Sequence, residues 1–296
     1  MFTKYSERRE FLKYISLFFL FILNSCSNIP KREKIAFQNS LYPESFKETI
    51  PNLWQKENIN FESLLTERKR NIVLNSDFAL INDGWINKID FNEFGKINNR
   101  LLLEKLDRRS QDFLSTFDQN QRIKLFPIGV VPYAVIIKNN KDLINSARQS
   151  WDFLLSKKFT RKIILPQSPR IIMSIAQKLN TSNALRKLKS QALVFDDKNS
   201  LNWLINSDAS IAIVPYSLCL KFLKIDPRLS VVFPNLGVPL IWYFLLRRSS
   251  SNLVNLIDWI ESLESKENSD KLVRQGWFLP FTNEYSQSKY NIDKSN

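Results

Sequence analysis

Short apolar runs alternate with polar, turn-rich connections along most of this chain, and their spacing predicts an α/β protein. The first apolar run, residues 15–23, sits behind a charged start. It is too short for a membrane span but has the length of a signal-peptide core. A strand is expected over 35–38, then a helix over 44–55 with Phe46, Ile50, Leu53 and Trp54 on one side, then a strand over 59–61. Ile72, Val73 and Leu74 read as a buried strand. Ser76 or Asp77 then stands as the N-cap of a helix running to Asn82 and closed by Gly84. Residues 91–122 are polar and helical in pattern, and 124–138 form a long strand-rich stretch.

The segment 150–179 carries the densest signal. Trp151, Phe153, Leu154 and Leu155 give a helix an apolar face, and Lys157, Lys158, Arg161 and Lys162 make a solvated connection. Ile163, Ile164 and Leu165 are a continuous apolar run, the pattern of a strand covered on both faces. Ser168 and Pro169 occupy the N-cap and first position of a helix in which Ile171, Ile172, Ile175 and Leu179 recur at helical spacing. A strand whose carboxyl end turns into a helix amino terminus is where α/β sheets hold ligands. Beyond it, helices are expected over 182–189, 199–206, 218–223, 252–262 and 266–274, and strands over 191–195, 210–214, 229–233 and 238–247. The tail 283–296 is polar.

Composition then narrows the chemistry. The chain has 296 residues, no His and only five Gly. Ser–His and Cys–His nucleophiles and His-based metal sites are excluded. The five glycines do not form a phosphate-cradling motif. No enzyme, cofactor or metal is expected. Two cysteines, Cys26 and Cys219, make no disulfide framework. The net charge of +14 attracts polyanions, but the bases are scattered and form no nucleic-acid face.

Two leader motifs place the body outside the cytoplasm. Arg8-Arg9-Glu10-Phe11-Leu12-Lys13 resembles the twin-arginine export consensus, and Leu23-Asn24-Ser25-Cys26 resembles a lipobox in which Cys26 is acylated. An uncleaved anchor is the other reading. Either way residues 1–26 are leader, 27–34 a tether, and the body is extracytoplasmic, or periplasmic, and membrane-tethered.

The ordered series of motifs resembles the bacterial extracellular solute-binding proteins of spermidine/putrescine ABC transporters. It comprises Ser150-Trp151 with Leu154-Leu155, Ile163 to Pro166, and Pro169-Arg170. It also includes the 70–90 segment, Pro127 in the long strand, 210–216, Pro234 to Gly237, and Gly276 to Pro280. The resemblance implies a periplasmic-binding-protein-like (type II) α/β fold. Lobe 1 would take 35–127 plus 245–282 and lobe 2 would take 128–244, joined by two crossing strands around a central cleft. A monomer would capture a small solute there and pass it to an ABC permease. The ligand-binding residues it implies are Tyr42, Asn75, Ser76, Asp77, Phe78, Ser168, Arg170, Tyr216, Trp242 and Tyr243. Tyr42 could equally be packed at a turn, Asp77 could be only an N-cap, and Arg170 could only hold the turn. Ser168 and Ile171 stand at two positions where the family has acids, and Tyr243 at a third. Asp77 is then the one obvious acid near the expected cleft. A buried ammonium without a partner is costly, so a neutral or anionic solute fits at least as well as a polyamine. A lipoprotein sensor or scaffold that no longer transports is the further alternative.

Overall fold

The computed structural model describes residues 32–60, 75–97, 99–140, 142–251 and 253–282. Cys26, the rest of the leader, the expected strand at 72–74 and the tail lie outside the described residues.

Ten strands among the described residues form one open sheet of mixed direction. They are β1 (Lys34–Phe37), β2 (Gln55–Asn58), β3 (Phe78–Asn82), β4 (Phe94–Gly95), β5 (Phe126–Lys138), β6 (Ile163–Leu165), β7 (Ala192–Phe195), β8 (Ile211–Pro215), β9 (Leu229–Val232) and β10 (Leu240–Arg248). Their order is β2-β1-β3-β10-β5-β8-β6-β7, with β4 added to β10 and β9 to β5. The apolar runs of β5, β6 and β8 are buried throughout apart from Lys138, as strands covered on both faces require.

β5 ties the sheet together. Its first part pairs antiparallel with β10, from Phe126↔Leu245 to Pro132↔Leu240. Its second part pairs with β8 and β9 from Tyr133 onward. The core changes at the same place. One apolar cluster takes residues up to Val131 and returns from Trp242 to Phe281. Two others, one on each sheet face, are built between Tyr133 and Val232. Ile241 packs against a cluster on each side of this change.

Several expected elements differ. The first helix, Glu44–Thr49, stops before Ile50-Pro51, because a residue preceding proline is pushed out of helical backbone. The next strand forms at Gln55–Asn58, ahead of 59–61. Trp151–Leu155 is a tight 3-10 helix. The expected helix from Asp77 to Asn82 is instead strand β3, whose Phe78, Ala79, Leu80 and Ile81 are completely buried. It pairs parallel with β1 (Ile35↔Phe78) and antiparallel with β10 (Tyr243↔Asn82). Asp77 accepts the Lys34 backbone N–H at 2.9 Å across the sheet.

Candidate functional site

Residues 75–78 precede or begin strand β3 rather than capping a helix. Asn75, Ser76, Asp77 and Phe78 lie at or before the amino end of the strand, which at about 3.3 Å per residue puts even Phe78 about 13 Å from the carboxyl end at Asn82. Asn75 is exposed, and the other three are buried beside β1. The carboxyl end is Asn82-Asp83-Gly84. There the Asp83 N–H donates to the Trp242 carbonyl at 2.9 Å. The Asn82 side-chain oxygen accepts from the Gly84 N–H at 3.0 Å.

Asp83 meets Arg170 from the other half of the body. Arg170 is the second residue of helix Pro169–Ala176, which follows β6. Its Nη2 lies 3.0 Å from Asp83 Oδ1 and 2.9 Å from Oδ2. Both terminal nitrogens reach the Leu240 carbonyl at 3.4 Å. The Asp83 side chain is 6% exposed and that of Arg170 is 47% exposed. Burial pushes the Asp83 acid up to about 6, outweighing the nearby guanidinium that lowers it.

Two phenols lie within electrostatic reach of this pair, and a second acid, Asp197, acts on one of them. Burial raises the Tyr243 phenol, and the Asp83 charge raises it further. Burial also raises Tyr133, with Asp197 the next cause and Tyr243, Arg170 and Asp83 acting on it more weakly. Asp197, in the loop after β7, is raised chiefly by burial. Its Oδ2 accepts the Gln167 N–H at 3.1 Å, while its Oδ1 is buried without a hydrogen-bond partner. The junction of the two halves therefore holds one buried carboxylate, two phenols and one guanidinium, with the half-buried Asp197 acting on Tyr133.

An aromatic group lies deeper. Tyr42 packs on Tyr243 at 5.2 Å and on Trp277 at 5.3 Å, and Tyr243 lies 4.2 Å from Trp277. The Tyr42 hydroxyl and the Trp277 indole N–H are both buried without hydrogen-bond partners. Gly129 lets Trp277 in, since a Cβ there would come within 2.1 Å of the indole.

The remaining expected residues scatter. Trp242 is buried and stacks on Phe113 at 4.6 Å, on the face opposite its neighbour Tyr243. Tyr216 packs edge-on against Phe233 in the cluster on the other sheet face from Tyr133. Ser168 is the N-cap by position, but its side chain makes no capping bond. Of the ten expected residues, the structure gathers Tyr42, Tyr243 and Arg170. Asp83, Tyr133 and Trp277 join them, and Asp197 acts on Tyr133. Asn-Asp-Gly after an apolar run is a turn signal for Asp83, as Asp196-Asp197 after β7 is for Asp197. A mostly apolar cavity of about 590 Å³, lined by residues such as Leu103, Leu114, Arg122 and Leu125, lies elsewhere and contains none of this group.

No protein-family model and no curated protein matches this chain. Solved structures do match its fold. An ABC transporter structure from Clostridium perfringens aligns at TM-score 0.65 and 15% identity, over 86% of this chain and 89% of that one. The spermidine/putrescine ABC transporter substrate-binding protein PotD from Streptococcus pneumoniae aligns at 0.61 and 14%, over 83% and 81%. A ferric binding protein from Campylobacter jejuni aligns at 0.62 and 13%, over 86% and 87%. The chain thus has the periplasmic-binding-protein-like fold of ABC-transporter solute-binding proteins.

Proposed function

We propose that this chain is the extracytoplasmic solute-binding lipoprotein of an ABC importer, not an enzyme. Lobe 1 (35–127 plus 245–282) and lobe 2 (128–244) close on a small solute, which is then delivered to a permease. The observation that carries this reading is the Asp83–Arg170 pair, with Tyr243 and Tyr133 within electrostatic reach, where one core gives way to another. Pro132 lies at that change in β5 and has no N–H to give the ladder, which favours bending there.

The solute class this site supports best is a small organic cation of the polyamine type. Asp83 and Asp197 supply carboxylates for ammonium groups, and the tyrosines supply faces for a cationic or methylene chain. Those two acids answer the shortage that the sequence suggested. The half-exposed Arg170 guanidinium supports a second reading, an anionic solute. The leader motifs support twin-arginine export and acylation of Cys26, with the body held as a monomer at the membrane.

Thermal-shift measurements on the full-length protein test the reading. Spermidine and putrescine are expected to raise Tm at micromolar concentration. Amino acids, sugars, organic anions and ferric citrate form the comparison set, since solved relatives of this fold include ferric binding proteins. A shift with organic anions alone selects the second reading. No shift with any solute sinks solute binding and favours a scaffold role.

A further inference from the structure

The Arg170–Asp83 pair is a contact the protein makes with itself where the proposed solute binds. Arg170 comes from a helix whose Ile171, Ile172 and Ile175 are fixed in the second-half core, while Asp83 ends a buried strand of the first half. The carboxylate is held in place. The guanidinium is half in solvent on a flexible stem, and its other contacts, to the Leu240 carbonyl, are long at 3.4 Å. Resting on the solute-binding reading above, we infer that Arg170 is a tethered stand-in for the solute's cationic group. It occupies Asp83 while the site is empty, clasps the two halves, and is displaced when an incoming ammonium pairs with that carboxylate.

Such a competitor has two effects. It keeps a buried carboxylate from standing uncompensated, which is strongly unfavourable. It also weakens apparent affinity by the fraction of time Asp83 is free, since an intramolecular partner competes at high effective concentration. The charged and titratable groups facing Asp83 are Arg170 from the helix, Tyr243 from β10 and Tyr133 from β5. Burial keeps both phenols protonated throughout the ordinary pH range. The clasp therefore opens when Asp83 itself takes up a proton, near pH 6.

Calorimetric titration of the full-length protein with putrescine at pH 8 tests the competition. Arg170→Met keeps the stem and removes the charge. It is expected to bind about tenfold tighter than wild type, as follows if the site is free about a tenth of the time. Asp83→Asn is expected to bind at least tenfold weaker. Wild-type binding with unchanged or weaker binding by Arg170→Met overturns the inference and leaves solute binding intact. A double-mutant cycle of the two substitutions, read by urea unfolding, tests the pair without any ligand. Coupling at pH 8 that vanishes at pH 5 is expected, and additive effects at pH 8 overturn the clasp. Coupling with no putrescine binding in any variant overturns both the competition and the cationic-solute reading.

Discussion

Asp83 keeps its charge at neutral pH although most of its surroundings are protein. Its folded-state acid titrates near 6, above the ordinary value of 3.8, so the folded chain holds a proton that the unfolded chain has released between those values. Stability therefore rises as pH falls through that window and is lower above it, by an amount on the order of 2–3 kcal/mol. Asp83→Asn is expected to stabilise the protein at pH 8 by up to that amount, since the raised value already includes the Arg170 contact. The two proteins should unfold alike near pH 4, as urea melts at the two pH values will show. Gly129 is the second residue with an outsized effect. A methyl group there collides with the Trp277 indole, so Gly129→Ala is expected to cost at least ~1–3 kcal/mol. Adding Trp277→Phe should recover part of the loss in the same urea assay.

Strand β3 decides which acid belongs to the site. Asp77→Ala is expected to lower stability by about 1–3 kcal/mol, because the Lys34 amide loses an acceptor. Putrescine affinity should stay within about twofold of wild type, whereas Asp83→Ala should abolish binding. Similar loss from both would place the strand the other way. Why β3 escaped a reading from sequence is clear from its residues. Asn75-Ser76-Asp77 has the chemistry of an N-cap, and Phe-Ala-Leu-Ile suits a buried helix turn as well as a buried strand. Only pairing with β1 and β10 settles the choice, and β10 lies more than 150 residues further on. By contrast β6 and the helix Pro169–Ala176 were legible to the residue at their starts. A continuous Ile-Ile-Leu run and a Ser-Pro start are local signals. The same contrast holds for the site. Arg170 follows from its turn and Tyr133 from its place in the long strand, while the approach of Asp197 from the loop after β7 to Tyr133 is recorded by no local pattern.

At the scale of the molecule, the chain enters the second half once, near Pro132, and leaves it once, before Trp242. Everything between is contiguous in sequence. The first half is not, since its core needs residues 35–131 together with Trp242 and beyond. Its last pieces are Trp277, Leu279 and Phe281, with Phe278 exchanging backbone hydrogen bonds with Val130 at 2.8 and 2.9 Å. Synthesis from the amino terminus therefore gives the two halves different timetables. The second half has all its buried core residues once residue 232 is clear of the ribosome, lacking only the partly buried Phe233, Val238 and Ile241. The first must wait, with β3 lacking its antiparallel partner β10 and the core lacking Trp277, Leu279 and Phe281, until nearly the whole chain has been made. A chain ending at residue 275 is expected to protect the amides of β6 and β8 from hydrogen exchange and to leave those of β1 and β3 open. Equal loss of protection in both halves would mean that they fold as one unit. The proposed export in the folded state would thus make the chain fit for export only when its final core residues arrive.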